Sequence, residues 1–257
     1  MPGGRRTDPA GRPVMSEVPG VGPLLGPVRS GNAFEETMAR MLQLIRLGSV
    51  PVGERLPSER ELAEQLGVSR STLREVIAEL QRAGYLEVRR GRYGGAFVCE
   101  PQEEPEGIAV RVEKPDPGEL DDALQFRMIV DTAAAGRAAA AALSPAQVEA
   151  LRSALADSAG ADEHSYRRLD SRLHLLVAEC AGIPSLLRAV ADVRTRINHL
   201  LDMIPLLQVN LEHSQEQHRQ LVEAVIAGDA ATAEAVAAEH AAGTESLLRG
   251  FLGEQSG

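Results

Sequence analysis

The sequence of 257 residues contains few aromatic side chains, few cysteines and no long apolar run. Aromatic residues make up only 3% of the chain, so its cores have to be built from aliphatic side chains. No 18 consecutive residues are apolar, and we therefore expect no transmembrane helix. The basic start MPGGRRTDPAGRP is followed by no apolar segment, so we expect no secretory signal. The two cysteines, Cys99 and Cys180, fall in different predicted domains and suggest no disulfide framework, which favours the reducing cytoplasm.

The net charge of −10 is distributed unevenly along the chain. Residues 34–98 hold 10 arginines and 9 acids, and the residues before them hold 4 arginines and 2 acids. These two parts have net charges of +1 and +2, so the rest of the chain carries −13. An acidic total therefore does not exclude a nucleic-acid-binding protein, because the acid is concentrated in the C-terminal half. The nearly neutral first half predicts a moderate affinity for DNA, which dimerisation would have to increase.

The stretch 57–80, PSERELAEQLGVSRSTLREVIAEL, has the pattern of two short helices joined by a turn. Ser58 and Glu61 form a capping box, which predicts the start of the first helix. Gly67 can adopt the left-handed conformation that ends this helix, and Ser69 can cap the second one. Two such helices joined by a turn of three or four residues are typical of a helix-turn-helix motif.

The first turn of the second helix favours an anionic partner. Arg70, Ser71 and Thr72 include no acid, although a helix N-terminus normally favours one. Backbone N–H groups, two hydroxyls and a guanidinium at this position suit a phosphate. Arg70 and Arg74 lie four residues apart on one side of the helix, where an arginine can bind both acceptors of a guanine edge. A small helical hairpin with a solvated charged face is the alternative interpretation of this segment taken alone.

The segment after the second helix predicts a two-stranded hairpin. Residues 85–90 alternate as a strand with Leu86 and Val88 facing inward. Residues 91–95 form a tight turn rich in glycine, and residues 96–98 return as a second strand. The tip of this hairpin carries the basic residues Arg89, Arg90 and Arg92. A helix for the major groove with a basic hairpin beside it predicts a winged helix-turn-helix.

Residues 34–98 resemble the N-terminal domain of GntR-type bacterial transcription regulators. The resemblance rests on the run GSVPVGERLPSERELAEQLGVSRSTLREVIAELQRAGYLEVRRGRYGGAFV, in which several fixed spacings agree at once. It implies that three arginines contact operator DNA in the major groove, namely Arg60, Arg70 and Arg74. It also implies phosphate contacts from Ser69, Ser71 and Thr72, and an approach to the minor groove by Arg90 and Gly91.

The rest of the chain divides into an arm, a linker and a helical half. Residues 1–30 are rich in Gly, Pro and Arg without periodicity, and we interpret them as a disordered arm. The winged helix-turn-helix domain covers residues 31–99, and the proline-rich, acidic residues 100–118 predict a linker. Residues 119–254 predict an all-helical antiparallel bundle, so the fold class is mostly α. The predicted helices span 34–47 in the first domain and 119–142, 144–158, 163–181, 184–203, 210–227 and 229–252 in the second.

Four polar side chains lie where the helical pattern of the C-terminal half points inward. Asp170 and His174 are one turn apart on one predicted helix, and His218 and His240 lie on two others. A buried carboxylate needs a partner, and helical bundles build metal sites from ligands arranged in this way. Three imidazole nitrogens and one carboxylate suit zinc, nickel, iron or manganese without choosing between them. Taken singly, each histidine also fits an ordinary hydrogen-bonded core residue.

The stretches LDSRLHLLVAECAG, EHSQEQHRQLVEAVIAGD and AEAVAAEH resemble the helical ligand-binding domain, FCD, of the FadR-type branch of GntR regulators. In the metal-binding members of that branch, an aspartate and three histidines occupy the positions of Asp170, His174, His218 and His240. The resemblance therefore implies a divalent transition metal, with zinc expected before nickel, iron or manganese. This chain has Asp131 where the family usually has glutamate.

Two arginines are candidates for binding an effector in the helical half. A metal with four protein ligands leaves open octahedral positions that a small organic carboxylate could fill, and a guanidinium could hold a second carboxylate. Arg127, on the first helix of the bundle, is the main candidate, and Arg194 is the second. The alternative role for Arg127 is a surface ion pair with Asp131 at i, i+4.

Together these patterns predict a homodimeric transcription regulator that is not an enzyme. Its two recognition helices would bind the half-sites of an inverted repeat in double-stranded DNA. A small organic acid bound in the helical domain would lower the affinity for the operator, so repression is the first hypothesis, with activation left open. One alternative is a metal-free pocket for an acyl chain or acyl-CoA. Another is a metalloenzyme fused to a DNA-binding domain, although we find no acid spaced to act as its general base.

Overall fold

A computed structural model of the chain describes residues 33–91, 94–99, 116–204 and 208–252. The predicted arm and residues 100–115 of the predicted linker lie outside these ranges. The described part forms nine helices and one two-stranded antiparallel sheet. This confirms the predicted fold, a winged helix-turn-helix followed by a six-helix bundle. None of the described helices is long and apolar enough to cross a membrane.

The N-terminal unit has three helices and a hairpin in the predicted order. Their bounds are α1 Ala33–Arg46, α2 Glu59–Leu66, α3 Arg70–Arg82, β1 Leu86–Arg89 and β2 Gly95–Val98. As predicted, Ser58 and Glu61 form a capping box, in which the Ser58 N–H donates to Glu61 Oε2 at 2.9 Å. Gly67 ends α2 with a φ of 67°, and Ser69 Oγ accepts from the Thr72 N–H at the start of α3. Local caps therefore define the turn between the two helices.

The hairpin pairs β1 with β2 in antiparallel register, with Leu86 opposite Val98 and Arg89 opposite Gly95. Only the end that packs on the helices is covered: Leu86 and Val98 are buried, whereas Val88 is 41% exposed. The prediction that Val88 faces inward is therefore wrong. Val88 lies on the same face of β1 as Leu86, but the hairpin extends past the helices, so this face passes from the core into solvent.

Six helices form the C-terminal unit. Their bounds are α4 Pro117–Ala139, α5 Pro145–Ala159, α6 Glu163–Cys180, α7 Pro184–Leu201, α8 Gln208–Ala227 and α9 Ala230–Leu252. Every bound lies within three residues of the predicted one, because local caps such as the Ser144–Gln147 capping box define the ends. The central helix is α4, which packs against α6, α7, α8 and α9. Its buried alanines, which allow this close packing, include Ala134, Ala135 and Ala138.

The N-terminal unit contacts the bundle through α1. Arg40 Nη1 lies 3.0 Å from Asp192 Oδ1 on α7. Gln43 Nε2 donates to Asp192 Oδ1 at 2.9 Å and to Thr195 Oγ1 at 3.2 Å. After α1, Gly48 lies so close to α6 that a Cβ there would come within 3.1 Å of the main-chain oxygen of Arg168. Helices α6 and α7 therefore contact the N-terminal unit directly.

Candidate functional site

The start of α3 presents hydroxyls and an arginine to solvent. Ser69 Oγ lies 2.7 Å from Ser71 Oγ and 2.8 Å from Thr72 Oγ1. Arg70 is exposed and makes no ion pair with any residue that the structure describes. The first turn of α3 contains no acid. The groups that suit a phosphate therefore meet at one exposed helix start.

Arg60 and Arg74, the other two arginines that we expect to contact DNA bases, form ion pairs with glutamates of α2. Arg60 Nη1 lies 3.3 Å from Glu64 Oε1, and Arg74 Nε donates to Glu59 Oε2 at 2.9 Å. Both arginine side chains are largely exposed to solvent. An exposed ion pair contributes about 0–1 kcal/mol, so DNA phosphates or bases can replace these acids at little cost.

In the β1–β2 hairpin, which is the wing of the winged helix-turn-helix, Arg89 contacts other residues of the hairpin and Arg90 does not. Arg89 Nη2 donates to Glu87 Oε2 at 2.6 Å, and the guanidinium lies 4.3 Å from the centroid of the Phe97 ring. Arg90 is exposed and pairs with no described residue. Gly91 follows with a φ of 103°, a conformation that glycine adopts without strain. Arg90 is therefore the cation that the described part of the wing leaves available for DNA.

The four inward-facing polar residues of the C-terminal half converge. Asp170 and His174 come from α6, His218 from α8 and His240 from α9, and all four are buried. Their possible ligand atoms all lie within 4.8 Å of one another. The centroids of the three imidazole rings are 4.7–5.2 Å apart. Helix packing thus brings into one cluster residues that are up to 70 positions apart in the chain.

The electrostatics of this cluster favour the protonation states that metal binding requires. Burial lowers the pKa of His174 and of His240 well below the usual histidine value, so both rings are neutral at pH 7. Burial is the largest single influence on Asp170 and would raise its pKa, but the Arg194 guanidinium and the His218 and His174 rings together outweigh burial and hold this pKa well below its usual range. The cluster therefore offers a carboxylate and neutral imidazoles.

Several buried nitrogens in the cluster have no hydrogen-bond partner among the described residues. These are Nε2 of His174 and both ring nitrogens of His218. His218 Nε2 lies 3.2 Å from Asp170 Oδ1, but the two atoms are not aligned as a hydrogen bond. Unpaired buried polar atoms are costly, and a cation among them would provide the missing partner. Three nitrogens and one oxygen fit zinc, nickel, iron or manganese.

Gln217 orients one of these possible ligands, and we did not predict it from the sequence. Its Oε1 lies 3.0 Å from His240 Nδ1 and accepts a hydrogen bond when that nitrogen is protonated. This arrangement leaves the lone pair on His240 Nε2 for a metal. Gln217 Nε2 is buried without a partner among the described residues. The only sequence signal was weak, a glutamine next to an inward-facing histidine.

Arg194 and Arg127 are both buried beside the cluster, each only 1% exposed. Arg194, on α7, donates from Nη2 to Asp170 Oδ2. Arg127, on α4, donates from Nε to Asp131 Oδ2 at 3.1 Å, so this ion pair forms in the interior and not at the surface. Arg127 Nη1 and Arg194 Nε have no hydrogen-bond partner among the described residues. Both guanidinium groups therefore have a donor left for a ligand.

A cavity of about 430 Å³ adjoins the cluster. Its polar lining includes Asp170, His240, Arg127, Arg194 and Gln217. Its apolar lining includes Leu201, Ile204, Leu211 and Leu247. Tyr166 and Ser214, which are joined by a hydrogen bond of 3.2 Å, also line it, and neither was predicted. The cavity is large enough for a small organic acid and combines charged with apolar surface.

Comparisons with known proteins match both halves of the chain. The family model of bacterial regulatory proteins of the gntR family matches residues 34–98, and that of the FCD domain matches residues 122–243. An Escherichia coli protein named "Putative L-lactate dehydrogenase operon regulatory protein" is 30% identical over 231 residues, 86% of this chain and 88% of that protein. The transcriptional regulator LutR of Bacillus subtilis is 27% identical over 220 residues, 82% of this chain and 99% of that protein. The solved structure of E. coli McbR/YncC shares the fold, with a TM-score of 0.53 and 19% identity over 85% of this chain and 97% of that one.

The fold, the site and these relatives define a DNA-binding transcription regulator with a helical ligand-binding domain, not an enzyme. The chain belongs to the GntR family of bacterial transcription regulators, and its C-terminal half is an FCD domain. The predictions of family, of fold and of a non-enzymatic function are confirmed. The alternative of a metalloenzyme fused to a DNA-binding domain is therefore set aside.

Proposed function

We propose that the chain is a cytoplasmic repressor that binds an inverted-repeat operator as a homodimer, and that a small organic acid bound at a divalent metal ion lowers its affinity for DNA. The observation that carries this proposal is the convergence of Asp170, His174, His218 and His240 beside a cavity with two buried arginines. The residues proposed to contact DNA are Arg60, Arg70 and Arg74 at bases, Ser69, Ser71 and Thr72 at phosphates, and Arg90 and Gly91 at the minor groove.

The four clustered residues would hold the metal, with zinc as our first choice and nickel, iron or manganese as the others. When bound, such a cation supplies open coordination positions for a carboxylate oxygen. Because the ligands come from α6, α8 and α9, metal binding would tie three helices together. Gln217 would keep the His240 ring in its ligating orientation through the hydrogen bond at Nδ1.

The charges around the cavity favour an anionic effector. Arg127 and Arg194 contribute two positive charges, and their partners Asp131 and Asp170 contribute two negative charges. These four buried charges cancel, so a divalent cation would leave an excess of +2. An excess of charge in a buried site is costly, and a bound carboxylate reduces it. The unpaired Arg127 Nη1 and Arg194 Nε would donate to the oxygens of that carboxylate.

Helix α7 connects this site to the DNA-binding domain. Arg194 pairs with Asp170 on one side of α7, and Asp192 and Thr195 bond to α1 on another. A carboxylate that competes with Asp170 for Arg194 would shift α7 relative to α6, and would thereby change the contacts with α1. The effector alters DNA binding only if it binds the two placements of the winged helix with different affinity.

Removing the contact between α7 and α1 is expected to weaken the coupling between effector binding in the helical domain and DNA binding in the N-terminal domain. In Asp192→Ala, binding of metal and carboxylate should be unchanged, because Asp192 does not line the cavity. The loss of operator affinity caused by effector should become at least about 5-fold smaller, which corresponds to ~1 kcal/mol of coupling. Fluorescence anisotropy titrations with and without effector measure this difference. Asp157→Ala, at an exposed aspartate on α5, is the control and should respond to effector like wild type. If Asp192→Ala also responds like wild type, the effector does not act on DNA binding through α7.

A thermal-shift screen tests the effector class. Protein loaded with Zn²⁺ is melted with a panel of small hydroxy acids and dicarboxylic acids, which includes L-lactate because of the name of the E. coli relative. A carboxylate at 100 times its Kd should stabilise the folded protein by about 2.7 kcal/mol and raise its Tm. We expect this rise to disappear after chelation of the metal, and the neutral amides of the same acids to have no effect. Absence of a rise with every acid would count against the proposal.

A metal-free site for an acyl chain or acyl-CoA is the second candidate function. The apolar residues that line the cavity favour it: Leu201, Ile204, Leu211 and Leu247. Fatty acids of increasing chain length and acyl-CoA therefore form a second arm of the same screen. An acyl ligand that stabilises chelated and metal-loaded protein equally would support this alternative and exclude a metal-dependent sensor.

A further inference from the structure

The wall of the cavity that α9 forms contains a glycine. Four residues of α9 that line the cavity lie at spacings of three and four, which places them on one side of the helix: His240, Gly243, Thr244 and Leu247. Gly243 lies in the interior of this helix of 23 residues. Only proline is less favourable than glycine in a helix interior. The glycine therefore has to be explained by something other than helix formation.

Close helix packing does not explain Gly243. A Cβ at Gly136, on α4, would lie 2.6 Å from Glu234 Cγ, so that glycine lets a side chain of α9 pack against the backbone. A Cβ at Gly243 would meet nothing within 4 Å in the described part of the chain, apart from the adjoining residues and backbone of α9 itself. Because Gly243 is exposed and lines the cavity, this free space belongs to the cavity and its opening. A larger side chain at position 243 would fill it.

The cavity extends between two layers of side chains. Three helices each contribute a residue at the charged end and, seven positions along the chain, a leucine that lines the cavity: Arg194 and Leu201 on α7, His218 and Leu211 on α8, and His240 and Leu247 on α9. We name the first three residues the cluster layer and the three leucines the leucine layer. Seven residues of an α-helix span about 10 Å, so the two layers are separated by roughly this distance. Gly243 lies between them on α9.

The space beyond the cluster layer suits an apolar group. Each residue of the leucine layer is only partly buried and so has apolar surface left to cover. The Thr244 hydroxyl donates to the main-chain oxygen of His240 at 3.3 Å and therefore needs no partner from a ligand. The cavity volume of 430 Å³ equals that of roughly 14 water molecules at about 30 Å³ each. A carboxylate group at the cluster layer would leave most of this volume unfilled.

We propose that the effector is an organic acid with an apolar body that reaches from the cluster layer to the leucine layer, and that Gly243 limits the size of this body. The inference rests on the proposed function, because it specifies which organic acids the cavity takes. The carboxylate lies in the cluster layer, where Arg194 and the proposed metal site are located. The body covers the three leucines, and the missing side chain at position 243 provides the room for it.

A series of linear acids from acetate to octanoate tests the apolar body. Isothermal titration calorimetry measures the Kd of each acid for wild-type protein loaded with Zn²⁺. Each added methylene that becomes buried should tighten binding by ~4-fold, because one buried CH₂ contributes about 0.8 kcal/mol. The Kd should stop falling once the chain has covered the leucine layer. A Kd that does not depend on chain length would overturn the apolar body.

Gly243→Ala and Gly243→Leu test the size limit. Acetate should bind both variants with a Kd near the wild-type value. Octanoate should bind Gly243→Leu on the order of 10-fold or more weakly, because an extra side chain in a filled site forces its neighbours to shift, and Gly243→Ala should be intermediate. Without ligand, Gly243→Ala should melt about 2–4 °C higher than wild type, because alanine favours the helix. A loss of octanoate binding together with a higher Tm is not the result of a damaged fold.

Two positions on α9 provide matched controls. Gly250→Ala makes the same replacement at a glycine whose Cβ would also meet free space but which does not line the cavity. Ala242→Leu adds an equally large side chain at an exposed position next to Gly243, which likewise does not line the cavity. Both variants should bind octanoate with a Kd near the wild-type value.

The outcomes separate this inference from the proposed function. If wild type binds the acids and both Gly243 variants show the same dependence of Kd on chain length, Gly243 does not limit the effector and the acid sensor stands. If no acid binds the Zn²⁺-loaded protein, both the inference and the proposed acid effector are overturned. Octanoate that binds equally well after chelation of the metal would overturn the placement of the carboxylate at a metal ion and would support the metal-free acyl site.

Discussion

Replacing Arg70 by alanine is expected to remove sequence-specific DNA binding while the protein stays folded. Arg70 is exposed at the start of α3 and pairs with no described residue, so its loss disturbs no internal contact. An arginine that binds a guanine edge contributes about 1–3 kcal/mol. A dimer uses two copies of Arg70, so the free energy of operator binding should weaken by about 2–6 kcal/mol. This corresponds to a ~30-fold to ~10⁴-fold loss of operator affinity. The measurement is fluorescence anisotropy at fixed salt, with a duplex that wild-type protein has selected from a random library.

Arg82→Ala is the control for this experiment. Arg82 is an exposed arginine at the C-terminal end of the same helix, where it pairs with Glu79. Its loss should leave the affinity for the selected duplex near the wild-type value. Both variants should bind a scrambled duplex with similar affinity, because that binding depends mainly on phosphate contacts. If Arg70→Ala still prefers the selected duplex as strongly as wild type, α3 does not recognise the operator through Arg70.

Replacing His218 by alanine is expected to remove both metal binding and the response to effector. His218 is fully buried, and its two ring nitrogens have no described hydrogen-bond partner. Changing a residue that merely supports a ligand costs roughly 10–100-fold in metal affinity, so the loss of one of four ligands should cost on the order of 100-fold or more. Competition with a chelator measures the affinity for Zn²⁺. Thermal melts with a carboxylate from the same panel then measure the response.

Two comparisons separate a lost ligand from a damaged core. The metal-free variant is compared with metal-free wild type, because the deleted imidazole also leaves a cavity that lowers stability. His199→Ala, at a partly exposed histidine on α7 with no proposed role, should bind metal and effector normally. A His218→Ala protein that holds Zn²⁺ as tightly as wild type, and still melts higher with carboxylate, would show that the four-residue cluster is not the sensor.

Helix ends were predictable because the groups that define them are local. The Ser58–Glu61 box, the left-handed Gly67 and the cap at Ser69 each act over a few residues, so the sequence alone contains all participants. The same holds for Ser144 and Pro145 at the start of α5. This is why the helices of the bundle agree with their predicted spans to within three residues.

The wing shows where a local pattern fails. Alternation along β1 correctly placed Leu86 and Val88 on the same face of the strand. It did not indicate at which residue of the strand this face stops packing against the helices. Leu86 is buried and Val88 is exposed because only one end of the hairpin packs on α1–α3. Burial of a strand face depends on elements distant in the chain, and periodicity carries no information about them.

The sequence by itself determined the helices, their inward faces and the residue types on those faces, because capping and periodicity are properties of neighbouring residues. It could therefore predict Asp170 and the three histidines one by one as inward-facing. Only the tertiary structure decided that they meet within 4.8 Å, that Arg194 pairs with Asp170 and that Gln217 orients His240. Those contacts depend on how α6, α7, α8 and α9 are rotated against one another, and this rotation follows from the packing of the whole bundle.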